Sequence, residues 1–212
     1  MPKIVFTIVA IILLNLVPLL GNPILFTNYK TWVLVVAAAM LWLSQPAFKS
    51  NEAVANRQSD RFSIVIILIC SSASVAFANI EWAYFNAGGL AFTTVSLVGL
   101  LLLLLGIIVR VWAIYTLGKH FTATATINND HELITAGPYR FVRHPSYLGA
   151  FMAVVGTPVF LNGSWSVILA LTAMSVAYYI RITAEEKMLL NYFGDKYTVY
   201  TRHTKRIIPF IW

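Results

Sequence analysis

The chain has 212 residues, of which 59% are hydrophobic and only 11% are charged, and its mean hydropathy is +0.76. This apolar content exceeds what a soluble globular domain needs and indicates a membrane protein. The net charge of +7 comes from basic residues between and after the apolar runs, a pattern typical of membrane-protein loops rather than of a nucleic-acid-binding stripe. We therefore expect no nucleic acid as a partner. With one cysteine, Cys70, and no Cys/His cluster at ligand spacing, we expect no internal disulfide and no metal.

Four apolar runs predict membrane spans in the first half of the chain, at about 4–20, 31–43, 62–80 and 90–115. The segment 81–89 between the last two runs is predicted to be a loop, with Glu81 as its only charge. A polar segment, 117–147, follows the fourth run. Segments of this length are usually functional or disordered. Because this one is not of low complexity, we expect an ordered functional loop.

The stretch 148–180 contains no charged residue, and Asn162-Gly163 divides it into two arms. This pattern predicts a helical hairpin that crosses, or nearly crosses, the bilayer. The tail, 181–212, is predicted to begin as a helix that leaves the membrane and is capped at Gly194. The predicted fold is an all-α polytopic membrane protein with about six membrane segments, the last two forming the hairpin. We divide it into four N-terminal spans (1–116) and a second unit (117–212).

Lysine and arginine set the predicted orientation. With the N-terminus inside, most basic residues lie on the cytoplasmic side, and Lys30 is the main exception. The long polar loop and the tail then meet on that side, at the two ends of the hairpin. We expect a multi-pass membrane protein with a cytoplasmic site, in the inner membrane of a prokaryote or the endoplasmic reticulum of a eukaryote.

The stretch 137–149 concentrates groups that can do chemistry, including Arg143, His144 and Tyr147. Polar groups beside membrane spans are costly, which makes this stretch a candidate site. The hairpin can return Arg181 and Glu185 to the same place, and these two residues have the i, i+4 spacing of helical neighbours. From spacing alone, a plain surface salt bridge between them is the alternative.

These residues closely resemble the isoprenylcysteine carboxyl methyltransferases. The resemblance covers about the last 95 residues in order and spacing. It is carried by the segments 131–139, 143–149, 156–157, 185–186, 193–197 and 209–211, together with Tyr200.

The resemblance implies S-adenosylmethionine as methyl donor and a lipophilic carboxylate, such as that of a prenylated cysteine, as acceptor. Arg181 would bind the acceptor carboxylate, and Arg143 is a second catalytic candidate whose alternative is a lipid-phosphate or loop anchor. The residues implied to bind the cofactor are Thr126, His131, Glu132, Leu133, Ile134, Tyr139, His144, Pro145, Ser146, Tyr147 and Glu185.

This chemistry agrees with the residue types. A carboxylate is already ionised near neutral pH, so its methylation needs alignment and exclusion of water rather than a strong base. A guanidinium holds a carboxylate in a planar fork. We expect the substrate to enter sideways from the bilayer, so that membrane lipid is itself a partner.

Three alternatives remain open at this point. A phospholipid N-methyltransferase would place a base or carboxylate where Arg181 stands. An NADPH-dependent membrane sterol or enone reductase would need basic residues for the 2′-phosphate, and the glutamate pair fits a sulfonium amino acid better. A transporter or scaffold predicts ionisable residues within the spans or internal repeats, and the sequence indicates neither.

Overall fold

The computed structural model describes residues 3–45, 61–86, 90–121 and 132–208. No β-strand occurs within these ranges, which confirms the all-α prediction. Short 3₁₀ turns lie at Pro23–Thr27, Gly118–His120 and Gly137–Arg140. The helices are α1 (Lys3–Ile11), continued by a π-helical turn (Ile12–Leu16) and a 3₁₀ turn (Val17–Leu19); α2 (Tyr29–Ser44); α3 (Arg61–Ile80), continued by a π-helical turn (Glu81–Phe85); α4 (Thr94–Leu117); α5 (Pro145–Phe160); α6 (Ser164–Phe193); and α7 (Asp195–His203).

Among the described residues, six apolar helical segments match the six predicted ones. Three are long and apolar enough to cross a membrane: Phe62–Phe85, Thr94–His120 and Ser164–Phe193. The other three are shorter: Lys3–Leu19, Tyr29–Ser44 and Pro145–Phe160. The predicted hairpin is confirmed, because α5 and α6 are joined by a tight turn in which Asn162 has a φ of 59°. Asparagine tolerates this left-handed conformation better than most residues.

Helices α4 and α5 approach each other more closely than side chains would allow. A Cβ on Gly106 of α4 would lie 2.6 Å from the backbone nitrogen of Ala153, and a Cβ on Gly149 of α5 would lie 2.6 Å from the backbone nitrogen of Arg110. Glycines at such positions let two helix backbones touch, as is common in membrane bundles. The contact fixes the inner end of α4 beside the first turn of α5.

Glu81 caps the far end of the hairpin. The prediction of a loop at 81–89 is wrong for the first five residues, because the π-helical turn Glu81–Phe85 extends α3. The buried Glu81 carboxylate accepts hydrogen bonds from the backbone nitrogens of Ser164, Trp165 and Ser166 at 3.0, 3.1 and 2.7 Å, and from the Ser166 hydroxyl. The N-terminal turn of a helix carries unsatisfied N–H groups and a partial positive charge, so a carboxylate stabilises it.

Lys30 is the basic residue that does not fit the predicted cytoplasmic distribution of charge. The structure places it at the same far end of the bundle and shows what stabilises it. Its side chain is fully buried, with Nζ 3.1 Å from the Ser96 hydroxyl and 5.6 Å from the centre of the Phe160 ring. The ammonium group is thus held inside the bundle by a hydroxyl and an aromatic face, both of which favour a cation.

At the opposite end, the tail folds back onto the loop that precedes the hairpin. Helix α6 is continuous over 30 residues and ends at Gly194, whose φ of 55° confirms the predicted cap. After α7, the backbone nitrogens of Arg143 and His144 donate to the carbonyls of Lys205 and Arg206 at 2.8 and 2.9 Å. Loop and tail therefore form one wall.

Candidate active site

A cavity of about 320 Å³ runs through the bundle and ends beneath this wall. We call its two parts the polar end and the apolar limb. The polar end is lined by Glu132, Leu133, Ile134, Tyr139, Arg143, His144, Ser146, Tyr147, Arg181 and Glu185. The apolar limb lies among α1 to α5 and is lined mainly by Leu14, Leu34, Ala37, Leu41, Ile64, Ile67, Leu68, Val75, Leu103 and Val154.

Tyr147 connects Arg181 and Glu185 at the polar end. The Arg181 Nε donates to the Tyr147 hydroxyl at 2.9 Å, and that hydroxyl donates to Oε2 of Glu185 at 2.5 Å. Arg181 and Glu185, one helical turn apart on α6, are also 3.6 Å apart directly. The pair is no plain surface salt bridge, because Arg181 is only 3% exposed and its guanidinium also donates to the Ser63 hydroxyl at 3.1 Å. A guanidinium is thereby held rigidly in the cavity wall.

A stack of rings supports this network. The rings of His144 and Tyr147 lie 5.6 Å apart at 16°, and those of Tyr147 and Tyr178 lie 5.1 Å apart at 26°. His144 is buried, with Nδ1 4.0 Å from Oε1 of Glu185. The stack fixes the position of the Tyr147 hydroxyl between its two charged neighbours.

Glu186 is the centre of a second cluster of ion pairs. It pairs with Arg143 and with Arg206 at 2.8 Å each, and Nε2 of His144 lies 3.4 Å from its Oε1. The Arg143 guanidinium also donates to the carbonyls of Thr204 and Thr201. Arg143 lines the cavity, but its contacts are those of an anchor between the loop and the tail.

Tyr139 holds the entry of the loop in place. It follows Gly137, whose φ of 57° starts the 3₁₀ turn, and its carbonyl accepts a hydrogen bond from the Tyr200 hydroxyl at 2.6 Å. Burial raises the pKa of Tyr139, and the negative charge of Glu185 raises this pKa further. Burial also raises the pKa of Tyr200 to about 12. Both side chains are therefore neutral phenols at physiological pH.

The structure brings together most of the site residues predicted from the sequence. Ten of them line the polar end, as listed above, and Pro145 is buried as the first residue of α5. Thr126 and His131 lie outside the described residues. The division of the chain at 116/117 stays a prediction.

Arg110 was missed as a site residue. Its Nη1 donates to the carbonyl and the hydroxyl of Ser146 at 2.9 and 3.2 Å, and its side chain lines the cavity. It is the only charged residue in the run 90–115. An ionisable residue inside a span is a functional candidate by default, so the sequence did carry a signal for it.

Groups at the polar end could hold a small cofactor with both charged and apolar parts. Glu185 offers a partly exposed carboxylate for an ammonium, and Leu133, Ile134 and Phe193 offer apolar surface for a base. Within the described part of the chain, the Tyr197 hydroxyl is buried without a hydrogen-bond partner. Buried polar atoms are rarely unsatisfied, which is consistent with a polar ligand here. No group of three or more His, Cys, Asp or Glu side chains among the described residues could hold a metal ion.

One family model matches the part of the chain that carries most of the residues of this cavity end. Residues 97–191 match the model of the isoprenylcysteine carboxyl methyltransferase family. Over that region, which is a little under half of the chain, the sequence is similar to this family. The match confirms the resemblance stated from the sequence, and it includes both the loop 137–149 and the Glu185-Glu186 pair.

Several relatives carry names of the same family. The chain is 36% identical over 119 residues to the probable protein-S-isoprenylcysteine O-methyltransferase of Oryza sativa subsp. indica, covering 55% of this chain and 62% of the rice protein. It is 32% identical over 147 residues to the protein-S-isoprenylcysteine O-methyltransferase of Saccharomyces cerevisiae, covering 68% of this chain and 60% of the yeast protein. The chain thus spans about three fifths of the length of these relatives.

A solved structure of the eukaryotic intramembrane Ras methyltransferase of this family matches nearly the whole chain. The TM-score is 0.67 and the sequence identity is 27%, over 99% of this chain and 75% of that one. The likeness therefore includes the first three N-terminal spans, which the family model does not cover. It confirms the polytopic helical fold.

Proposed function

We propose that the chain is an integral membrane methyltransferase that uses S-adenosylmethionine to O-methylate the carboxylate of a lipophilic acceptor of the prenylated-cysteine type. One observation carries the proposal. A single cavity joins a buried, fixed guanidinium and a carboxylate at one end to an apolar limb between membrane helices at the other. An acceptor with a charged head and a long apolar tail is complementary to that shape.

The residues of the polar end divide between the two reactants. Glu185 would hold the ammonium group of the methyl donor, and Leu133, Ile134 and Tyr139 would pack on the remainder of that molecule. Bound there, S-adenosylmethionine supplies an electrophilic methyl group on a sulfonium. Tyr197 contributes a buried hydroxyl that a ligand would satisfy. Thr126 and His131 are proposed to complete this set. Pro145 and Ser146 hold the backbone of the first turn of α5 beside it.

Arg181 orients the acceptor carboxylate. The Tyr147 hydroxyl and the Ser63 hydroxyl hold its guanidinium at Nε and Nη1, which fixes the plane of the fork. Glu185, at 3.6 Å, moderates the positive charge. A carboxylate gripped by an uncompensated guanidinium would be a poorer nucleophile, so this arrangement favours alignment over neutralisation.

Arg143 acts on this site indirectly. By pairing with Glu186 and with the tail carbonyls, it closes the polar end on the solvent side. Closing the site excludes water, which strengthens the interactions inside and prevents hydrolytic side reactions. We assign it a positioning role rather than contact with the reacting atoms.

The placement in the membrane follows from the same elements. The spans 1–116 supply most of the apolar limb, and the unit 117–212 supplies most of the polar end. With the N-terminus inside, the polar end faces the cytoplasm, and the acceptor tail reaches the limb from the bilayer.

A binding and transfer experiment tests the proposal. Calorimetry on detergent-purified protein measures S-adenosylmethionine binding, and a labelled-methyl assay with S-farnesyl-N-acetylcysteine measures transfer. We expect Glu185→Gln to weaken donor binding and Arg181→Lys to lower transfer with little change in donor binding, each by about 10- to 100-fold, the range expected for a lost charged hydrogen bond. The matched control is Lys187→Gln, an exposed charge on the same helix.

The result that would refute the proposal is equally specific. Wild-type protein that binds NADPH but not S-adenosylmethionine would indicate a reductase. Transfer to the amine of phosphatidylethanolamine, but not to the carboxylate, would indicate a phospholipid N-methyltransferase.

A further inference from the structure

The loop–tail wall has an outer face that the proposed reaction does not use. It carries two exposed basic residues, Arg140 from the loop and Lys205 from the tail. It also carries two large apolar side chains, Phe141 and Ile208, which are 53% and 45% exposed. We call these four residues the outer patch. Cations beside exposed apolar side chains are typical of protein surfaces that lie among lipid headgroups.

Backbone pairing brings the two halves of the outer patch together. Val142 of the loop and Lys205 of the tail form a parallel bridge. Two residues before Val142, the Arg140 guanidinium lies 5.0 Å from the centre of the Phe141 ring, which holds the cation beside an exposed aromatic surface. Positive charges on two adjoining segments repel each other, and an anion that contacts both removes this repulsion.

The outer patch lies at the level of the headgroups. The helix that follows the loop, α5, is about 24 Å long and starts from the hairpin turn at the far surface, so the loop reaches the opposite edge of a hydrocarbon core about 30 Å thick. A Cβ on Gly137 of the loop would lie 3.5 Å from the indole nitrogen of Trp112. Trp112 and Tyr115 are exposed at the inner end of α4, and exposed Trp and Tyr at the end of a span mark the membrane interface.

The surface around the outer patch is basic as well. Within the described residues between 119 and 140 and between 187 and 208, the exposed Lys and Arg side chains are those of Lys119, Arg140, Lys187, Lys196, Arg202 and Lys205, and the exposed acidic ones are those of Glu132 and Asp195. Basic residues near the membrane surface attract anionic lipids, so this excess favours a headgroup with net negative charge over a zwitterionic one.

We infer that the outer patch binds an anionic phospholipid, with the phosphate between Arg140 and Lys205 and the first part of the acyl chains against Phe141 and Ile208. Free phosphate has the same charge but offers nothing to the two apolar side chains, so a lipid is the ligand that fits the whole patch. The bound phosphate bridges loop and tail and thereby stabilises the wall that closes the polar end. Binding of the lipid does not depend on the proposed methyl transfer.

Titration of the chain with two short-chain lipids tests the inference. The Kd of phosphatidylglycerol and that of phosphatidylcholine are measured by thermophoresis on protein in a non-ionic detergent. We expect the wild-type protein to bind phosphatidylglycerol about 10- to 30-fold more tightly, which corresponds to the attraction of two basic residues for an anionic lipid. The double variant Arg140→Gln/Lys205→Gln should lose this preference. Phe141→Ala should weaken the binding of both lipids.

The matched control is the double variant Lys187→Gln/Lys196→Gln. It removes the same charge from exposed positions at the same end of the bundle but outside the outer patch, and it should keep the preference for phosphatidylglycerol. An equal loss of preference in the two double variants would show diffuse attraction only and would overturn the inference. Equal Kd values of the two lipids for the wild-type protein would also overturn it.

Inorganic phosphate, titrated in the same way, distinguishes a lipid site from a free-anion site. We expect it to bind at least 10-fold more weakly than phosphatidylglycerol, because it lacks the apolar contacts. Binding as tight as that of the lipid would refute the assignment to a lipid. None of these measurements involves methyl transfer, so a failure of the proposed function leaves them unaffected, and their failure leaves the proposed function standing.

Discussion

Replacing Glu81 by alanine should destabilise the protein more than any other single truncation at the far end of the bundle. The carboxylate satisfies three backbone N–H groups and one hydroxyl in the first turn of α6. Loss of a helix cap costs about 0.5–2 kcal/mol, and a buried unsatisfied N–H costs about 1–3 kcal/mol. Counting one cap and the buried N–H of Ser166 gives about 3 kcal/mol.

Thermal unfolding in detergent, followed by intrinsic fluorescence, measures this cost. For a domain of this size, 1 kcal/mol corresponds to about 2–4 °C in Tm, so Glu81→Ala should lower Tm by about 6–12 °C. Glu81→Gln keeps one acceptor oxygen and should give an intermediate value. Ser166→Ala removes a single hydroxyl donor and serves as the control, with an expected loss of about 1 kcal/mol. A Tm within 2 °C of wild type in Glu81→Ala would show that water replaces the carboxylate at this turn, contrary to its burial.

Three further predictions concern the site and its support. Tyr147→Phe removes the hydroxyl between Arg181 and Glu185 and should lower methyl transfer by about 10- to 100-fold without loss of folding; an unchanged kcat/KM would argue against the network. Gly106→Ala puts a methyl group against the backbone of α5 and should lower stability by about 1–3 kcal/mol in the same unfolding assay, whereas an unchanged Tm would mean that the helices separate freely. Arg143→Ala and Glu186→Ala should each destabilise the loop–tail wall. Their double variant should show a coupling energy of about 1–3 kcal/mol, and additive effects would contradict the pairing.

The sequence predicted the segments of this fold well because a bilayer leaves few options. Long apolar runs must form helices, since no water is present to satisfy an exposed backbone. The uncharged stretch 148–180 with a central Asn-Gly therefore predicted the hairpin. The tail helix and its Gly194 cap followed from local signals of the same kind.

The polar end was predictable for a different reason. Its residues are close in sequence within 132–147 or one turn apart on α6, so a single assumption, that the hairpin brings both groups together, placed nearly all of them. The role of Arg143 could not be decided from spacing, because its partners Glu186, Thr201 and Thr204 come from the folded-back tail.

Contacts between helices that are distant in the chain could not be predicted from the sequence. Glu81 was predicted to lie in a loop because its hydrogen-bond partners are more than eighty residues away. The apolar limb depends on how α1 to α5 pack, and a hydrophobic run does not specify its neighbours.

The short first arm of the hairpin determines the depth at which any chemistry at the polar end takes place. Helix α5 has 16 residues, so it measures about 24 Å, whereas the hydrocarbon core of a bilayer is about 30 Å thick. With the turn at Asn162 near one surface, Tyr147 and Arg181 lie several ångströms beneath the opposite headgroups. In the proposed function, the tail of a bound lipid passes from the acyl chains of the bilayer into the apolar limb and stays in apolar surroundings throughout. The solvation free energy of extracting that tail into water is therefore never part of the reaction barrier.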